Sequence, residues 1–320
     1  MKVLVTGGAG FIGSNLVAHL IQQESVSLVR VIDNLSTGTI KHLEPFLGHN
    51  KFEFVNGDIA VWDDIYAAMQ SISHVLHQAA LGSVPRSIAN PIATNSANIN
   101  GTLNVLTAAK ECKVTRVVFA ASSSTYGDST NLPKVEQIIG RPLSPYAVTK
   151  YVMELYADVF SRTYGLEYIG LRYFNVFGPH QNPNGAYAAV IPLFIDHAIR
   201  GESPTINGDG SNSRDFTYVD NVVQANMLAL TTSKPDAVNQ IYNIAYGQST
   251  TLSQLFTYVQ EIYGSSIKPI NGPERLGDIP HSLADISKAK SLLGYNPAVN
   301  IQEGLRRAID WYKQNPNYFN

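Results

Sequence analysis

Short apolar runs alternate along the chain with longer stretches in which apolar residues recur at helical spacing. Lys2–Thr6, Val29–Ile32, Phe52–Val55, His74–His77, Val117–Ala121 and Tyr168–Tyr173 are long enough for buried strands and too short for helices. Phe11, Ile12, Leu16, Val17, Leu20 and Ile21 share one face of a helix. Trp62–Met69 predicts a short helix, and Thr94–Cys112 and Tyr146–Tyr164 predict long ones, the last opened by Ser144 as N-cap and Pro145 at its first position. This alternation predicts an α/β fold with a Rossmann-type doubly wound parallel sheet. Beyond Asn175 the alternation breaks down. Gly and Pro become frequent from Gly178 to Gly210, and shorter helices are expected at Ala188–Ile199, Val219–Leu230, Leu252–Tyr263 and Ile301–Tyr312. A domain built on this sheet over 1–175 and a smaller C-terminal substrate-binding lobe over 176–320, interleaved with the first near its C-terminal part, is the organisation expected.

Composition narrows the class without deciding the function. The chain has 320 residues, 44% hydrophobic and 15% charged, as in a globular protein with a sizeable core. A net charge of −2 with no basic run argues against nucleic acid or an anionic membrane surface as partner. No segment is apolar for long enough to span a bilayer. The lone Cys112 cannot form an internal disulfide, which fits a reducing cytoplasm. No repeats or low-complexity segments interrupt the pattern.

The chemistry begins at the first strand. Gly7-x-x-Gly10-x-x-Gly13 follows Lys2–Thr6 directly and opens a helix, the context in which a glycine fingerprint means dinucleotide binding. Glycines let the backbone approach a pyrophosphate, and the helix N-terminus presents free N–H groups and a positive dipole end. A tight turn without ligand is the other reading of these residues. Twenty residues past Gly13, Asp33 ends the second apolar run. A carboxylate there accepts hydrogen bonds from the adenosine ribose and repels a 2′-phosphate, selecting NAD over NADP; its alternative is a turn or N-cap residue.

Tyr146 and Lys150 lie four apart, one turn into their helix, and so share a face. A phenol titrates near ~10, and a neighbouring ammonium favours its phenolate. Ser122 stands at the C-terminal end of the fifth strand, where open α/β sheets bind ligands, and its hydroxyl can pass a proton between a substrate and Tyr146. A surface Tyr–Lys pair is the plainer alternative.

Together these motifs resemble the extended short-chain dehydrogenase/reductase family over essentially the whole chain. The matching residues are Thr6-Gly7-x-x-Gly10-x-x-Gly13, Asp33-Asn34, Asp58-Ile59, Ala79-Ala80, Ser122-Ser123-Ser124 and Tyr146-x-x-x-Lys150. The resemblance implies bound NAD, held by Gly7, Gly10, Phe11, Ile12, Gly13, Asp33, Asn34, Ser36, Thr37, Gly38, Asp58, Ile59, Gln78, Ala79, Ala80, Tyr146 and Lys150. The second half is similar to nucleotide-sugar 4-epimerases in LRYFNVFGP (171–179), INGDGSNSRDFTYVDN (206–221) and ERLGDIPHSLADISKA (274–289). By that likeness Asn175 contacts the sugar nucleotide, Arg214 and Arg275 bind phosphate, and Asp278 binds ribose. Two arginines forking onto a diphosphate make physical sense, although each taken singly also reads as a rim salt bridge.

HQAALGSVPRS (77–87), AASSSTYGD (120–128), LSPYAVTKYV (143–152) and NGAYAAVIP (184–192) look like bacterial UDP-N-acetylglucosamine 4-epimerases. That likeness adds Ser83, Ser122, Ser123, Ser124, Tyr146, Ala189, Val190 and Asn207 as substrate contacts. It also places Ser282 where many UDP-galactose 4-epimerases carry a bulky tyrosine, so a small residue leaves room for a 2-acetamido group. The implied activity is interconversion of UDP-GlcNAc and UDP-GalNAc, with UDP-Glc and UDP-Gal as a second pair that the pocket does not exclude, on one retained NAD by a cytoplasmic homodimer, without any metal. The dimer would form through helices 94–112 and 146–164.

Three alternatives differ in chemistry. A UDP-glucose 4-epimerase needs no acetamido pocket. A UDP-glucuronate 4-epimerase or decarboxylase needs a cation for the carboxylate, and the sequence offers no unambiguous one. A 4,6-dehydratase needs an Asp-Glu pair where Ser123 and Ser124 stand. An NAD-sensing regulatory protein, the non-enzymatic alternative, would have no need of Ser122, Tyr146 and Lys150.

Overall fold

A computed structural model describes residues 1–183, 189–273 and 279–319. Six parallel strands follow in chain order: β1 Lys2–Thr6, β2 Leu28–Asp33, β3 Phe52–Asn56, β4 His74–His77, β5 Arg116–Ser122 and β6 Glu167–Tyr173. They lie within a seven-stranded sheet whose outermost member beside β6 is Gln240–Ile244. From that strand the order across the sheet is β6, β5, β4, β1, β2, β3. The order in which successive strands are added therefore reverses between β1 and β4, and the carboxyl ends of those parallel strands open the crevice in which such sheets bind ligands.

The strand ends expected from the apolar runs agree with the structure to within a residue or so. The seventh strand has no counterpart in that reading. Its segment, QIYNI, is a short apolar run among turns, and only pairing with β6 over Ile169–Tyr173 identifies it. The helix before it, Val219–Thr231, also packs on the sheet: buried Arg116 at the start of β5 donates to the carbonyls of Ala229, Leu230 and Thr232 at that helix's C-terminal end. A second core gathers Phe177, Phe194, Phe256, Leu305, Ile309 and Tyr312 away from the sheet.

Two helices frame the crevice. Pro145–Tyr164 starts at Ser144, whose hydroxyl accepts from Ala147 N at 3.1 Å, and ends at Gly165 in the left-handed conformation. The helix expected over 94–112 runs from Pro91 to Glu111 and is widened by a π-turn at Ser96–Asn100. The wide turn carries the buried Asn98, which accepts from Leu81 N at 2.8 Å and donates to Thr149 Oγ1 at 3.0 Å. One amide thus ties the loop after β4 to the residue preceding Lys150.

Behind this helix pair Arg172 and Glu154 form a buried bidentate ion pair, with N–O distances of 2.8 and 2.7 Å. The Arg172 guanidinium also donates to the Glu136 carbonyl and lies 4.9 Å from the Tyr126 ring centroid. Removing one partner leaves the other charge buried. Arg172→Met should cost about 3–5 kcal/mol in urea denaturation, and Arg172→Met combined with Glu154→Gln should recover part of it. A single-variant loss no larger than a surface change would show that the pair contributes little.

Candidate active site

Tight backbone packing shapes the crevice floor. Gly7 sits at φ +70°, and a Cβ there would lie 2.7 Å from the backbone of Ala79. A Cβ at Gly13 would lie 2.1 Å from Gly7 O. These approaches turn the chain from β1 into the helix Phe11–Ile21, whose first turn lines the crevice. Asp33 closes the turn from the side, accepting from Ala9 N at 2.9 Å and Leu35 N at 2.8 Å. Burial raises its carboxyl above the ordinary value, with the two backbone donors pulling it back. Next along the edge, Asn34 Nδ2 donates to Asp58 Oδ2 at 2.9 Å.

The crevice is a cavity of about 600 Å³. Gly7, Gly10, Phe11, Ile12, Gly13, Asp33, Asn34, Ser36, Thr37, Asp58, Ile59, Gln78, Ala79 and Ala80 line it, joined by Ser122, Ser123, Tyr146, Lys150 and Asn175. A dinucleotide fits this wall: a glycine cradle that added Cβ atoms would fill, then the Asp33 carboxylate at the end of the neighbouring strand β2. Gly38 is set back against Ala9 rather than on the wall. A second cavity, of about 280 Å³, shares Asn175, Val176 and Gln181 with the first and holds Ala189, Val190, Asn207 and Arg214. Ser83, Ser124 and Ser282 line neither. Ser124 donates to Ser122 Oγ at 2.9 Å, and Ser282 N donates to Ser213 O at 3.0 Å, one residue before Arg214. Arg275 and Asp278 lie outside the described residues.

Ser122, Tyr146 and Lys150 meet at the end of β5. Lys150 is buried and donates to Ala120 O at 2.7 Å, with its Nζ 5.9 Å from the centroid of the Tyr146 ring. Burial lowers the lysine to about 8, opposed by the charge of Glu154. Burial raises the Tyr146 phenol, and a hydrogen bond with Ser122 works against that shift. In the protein alone, desolvation therefore outweighs that hydrogen bond. Below this group His77 is enclosed, its Nδ1 2.7 Å from Thr6 Oγ1 and its Nε2 2.9 Å from Thr102 Oγ1.

One wall residue was not read from the sequence. Arg86 lines the main cavity and makes no side-chain hydrogen bond or ion pair among the described residues. It lies within the quoted GSVPRS stretch, where no periodicity or motif sets one arginine apart. Asp33 and Asp58 are the only carboxylates on the cavity wall among the described residues, and both stand at the β2–β3 end, away from Ser122. No helix of the described residues is long and apolar enough to cross a membrane, and they hold no cluster suited to a metal ion.

The chain belongs to the NAD dependent epimerase/dehydratase family, whose model matches residues 3–245. NAD is accordingly its cofactor, and within that family it is an epimerase of the UDP-sugar 4-epimerase group. It is 40% identical over 315 residues to a putative UDP-glucose 4-epimerase of Methanocaldococcus jannaschii, covering 98% of this chain and 99% of that protein. The UDP-N-acetylglucosamine 4-epimerase of Methanobrevibacter ruminantium M1, solved with UDP-N-acetylmuramic acid, superposes with a TM-score of 0.93 at 40% identity and 98% coverage of both chains. The UDP-glucose 4-epimerase of Thermotoga maritima, solved with UDP-glucose, gives 0.92 at 38% identity, covering 99% of this chain and 100% of that one.

The enclosed His77 yields a pH prediction. Burial holds its imidazole down at about 3, against an ordinary value of 6.5. Between those values the unfolded chain binds one proton more than the folded one. Stability should therefore fall as pH drops from about 6.5 towards 3, with His77 contributing up to about 1.4 kcal/mol per pH unit. In thermal melts across that range, His77→Gln should show a shallower pH slope than the wild type; an unchanged slope would mean that His77 protonates equally well when folded.

Proposed function

We propose that the protein interconverts UDP-GlcNAc and UDP-GalNAc. The observation that carries this reading is the Ser122–Tyr146–Lys150 group at the end of β5, on a cavity wall continuous with the glycine cradle. NAD, when bound, supplies the acceptor and then the donor of hydride at the sugar's C4. Tyr146 takes the proton of the 4-hydroxyl, with Ser122 as its hydrogen-bonding partner, and Lys150 supplies positive charge beside the phenol. The 4-keto sugar, tethered by a diphosphate at Arg214, presents its other face before Tyr146 returns the proton. Because the wall near Ser122 carries no carboxylate among the described residues, it lacks the acid–base pair that dehydration requires. Asn175 at the junction of the two cavities supports a sugar nucleotide lying across both, with Ala189, Val190 and Asn207 lining the far one.

Ser282 supports the acetylated sugar over UDP-glucose on steric grounds, since it is small and sits one backbone hydrogen bond from the Arg214 strand. We also propose a cytoplasmic homodimer. Val148, Leu155 and Val159 on helix Pro145–Tyr164 are exposed, as are Ile88 and Ile92, at 63% and 82%, on the short helices packed against it. A partner copy would cover that apolar face.

Tyr146→Phe should lower turnover of UDP-GlcNAc roughly 10²–10⁴-fold while the protein keeps its NAD, and Ser122→Ala should cost less. Near-normal turnover in the Tyr146 variant would remove it from proton transfer. Overpacking at Ser282→Tyr should cost UDP-GlcNAc roughly ten- to hundredfold, about 1–3 kcal/mol, while sparing UDP-glucose. Steady-state assays of both sugars check this, and a wild-type ratio in the folded, NAD-bearing variant would remove Ser282 from the 2-substituent pocket.

A further inference from the structure

Arg86 has no function in the reading above. It lies on the helix Val84–Ala89, which follows β4 and packs against the Tyr146 helix. Its position is set locally: Ser83 Oγ accepts from Arg86 N at 3.2 Å, and buried Ser87 donates to Val84 O at 2.7 Å. Ser83 sits at φ +149°, which an L-residue rarely adopts, so the chain is strained where it delivers this helix to the cavity. Arg86 and Lys150 are the only Lys or Arg residues on the wall of the main cavity among the described residues. Lys150 is committed to Ala120 O, whereas Arg86 has no partner there.

A guanidinium that lines a cleft without a carboxylate of its own is matched to an anion on the ligand. Two anionic groups of the bound nucleotides would enter this cleft or its neighbour. The cofactor pyrophosphate belongs at the Gly7–Gly13 turn after β1. The sugar-nucleotide diphosphate belongs at Arg214 in the second cavity, beyond the end of β6. Arg86 lies on the helix that follows β4 and lines the main cavity, not the second one that holds Arg214. The cavity wall that carries Arg86 also carries Ser122, Tyr146 and the loop Leu81–Gly82, where the sugar-nucleotide reading puts the hexose.

We propose that Arg86 binds a carboxylate carried by the hexose, so that the site accepts acidic UDP-sugars alongside neutral ones. This rests on the sugar-nucleotide reading of the cleft. The carboxylate can be C6 of a uronic acid or an acid ether-linked to a ring hydroxyl. Both present the same two oxygens to a guanidinium.

The test uses the full-length, NAD-bearing protein, with UDP-GlcNAc, UDP-glucuronic acid and UDP-N-acetylmuramic acid as probes. Calorimetric binding in a Tyr146→Phe background is measured beside KM and kcat in the wild-type background. The wild type should bind at least one of the acids, and which one identifies where the carboxylate sits. Arg86→Met should weaken that acid roughly 10–100-fold more than it weakens UDP-GlcNAc, through KM rather than kcat, and Arg86→Lys should restore part of the difference. Equal losses for acidic and neutral sugars in Arg86→Met would overturn the proposal. So would a wild type that binds UDP-GlcNAc and neither acid. If the wild type epimerises no neutral UDP-sugar, the function proposed above fails, and Arg86 is still judged by the binding arm.

Discussion

The ammonium of Lys150, buried against the carbonyl of Ala120, is the constraint on which the site depends. A charge removed from water must be compensated, and here the compensation is a strand carbonyl plus the field of Glu154 below. That requirement fixes the helix Pro145–Tyr164 against the end of β5 and so places Tyr146 beside Ser122. Glu154 is in turn neutralised by Arg172 of β6. A line of alternating charge thus runs from the back of the sheet to the reaction centre. The π-turn Asn98 braces the same helix from the other side through Thr149.

Burial that locks Lys150 in place also pushes its ammonium towards losing its proton and the Tyr146 phenol towards keeping its own. Both shifts oppose the phenolate that proton abstraction requires. The glycine turn serves the same economy of space: Gly13 leaves no room for a methyl group against Gly7 O, so the crevice floor is backbone.

Much of this was legible because it is local. Gly7, Gly10, Gly13 and Asp33 are spaced by one strand–turn–helix unit, and Tyr146 and Lys150 by one helical turn. Six strands were legible as apolar runs for the same reason. What escaped depends on distant pairing. QIYNI joins the sheet only by lying beside β6, and nothing in five residues among turns announces that. The π-turn at Ser96–Asn100 has an ordinary helical sequence, and its widening appears only where Asn98 reaches Leu81 and Thr149. Arg86 was invisible because its character lies in the absence of a partner. The reading of Lys150 as favouring the phenolate considered the charge pair and left out desolvation, which only three-dimensional enclosure reveals.

The central claim is that one hydrogen leaves C4 and returns to it without exchanging with solvent while Tyr146 moves the hydroxyl proton. Turnover of UDP-GlcNAc deuterated at C4, followed by NMR of the UDP-GalNAc formed in ordinary water with no added NAD, tests it directly. The account predicts deuterium retained at C4 of the product. Loss of the label to water would contradict it and would point to proton abstraction from carbon instead.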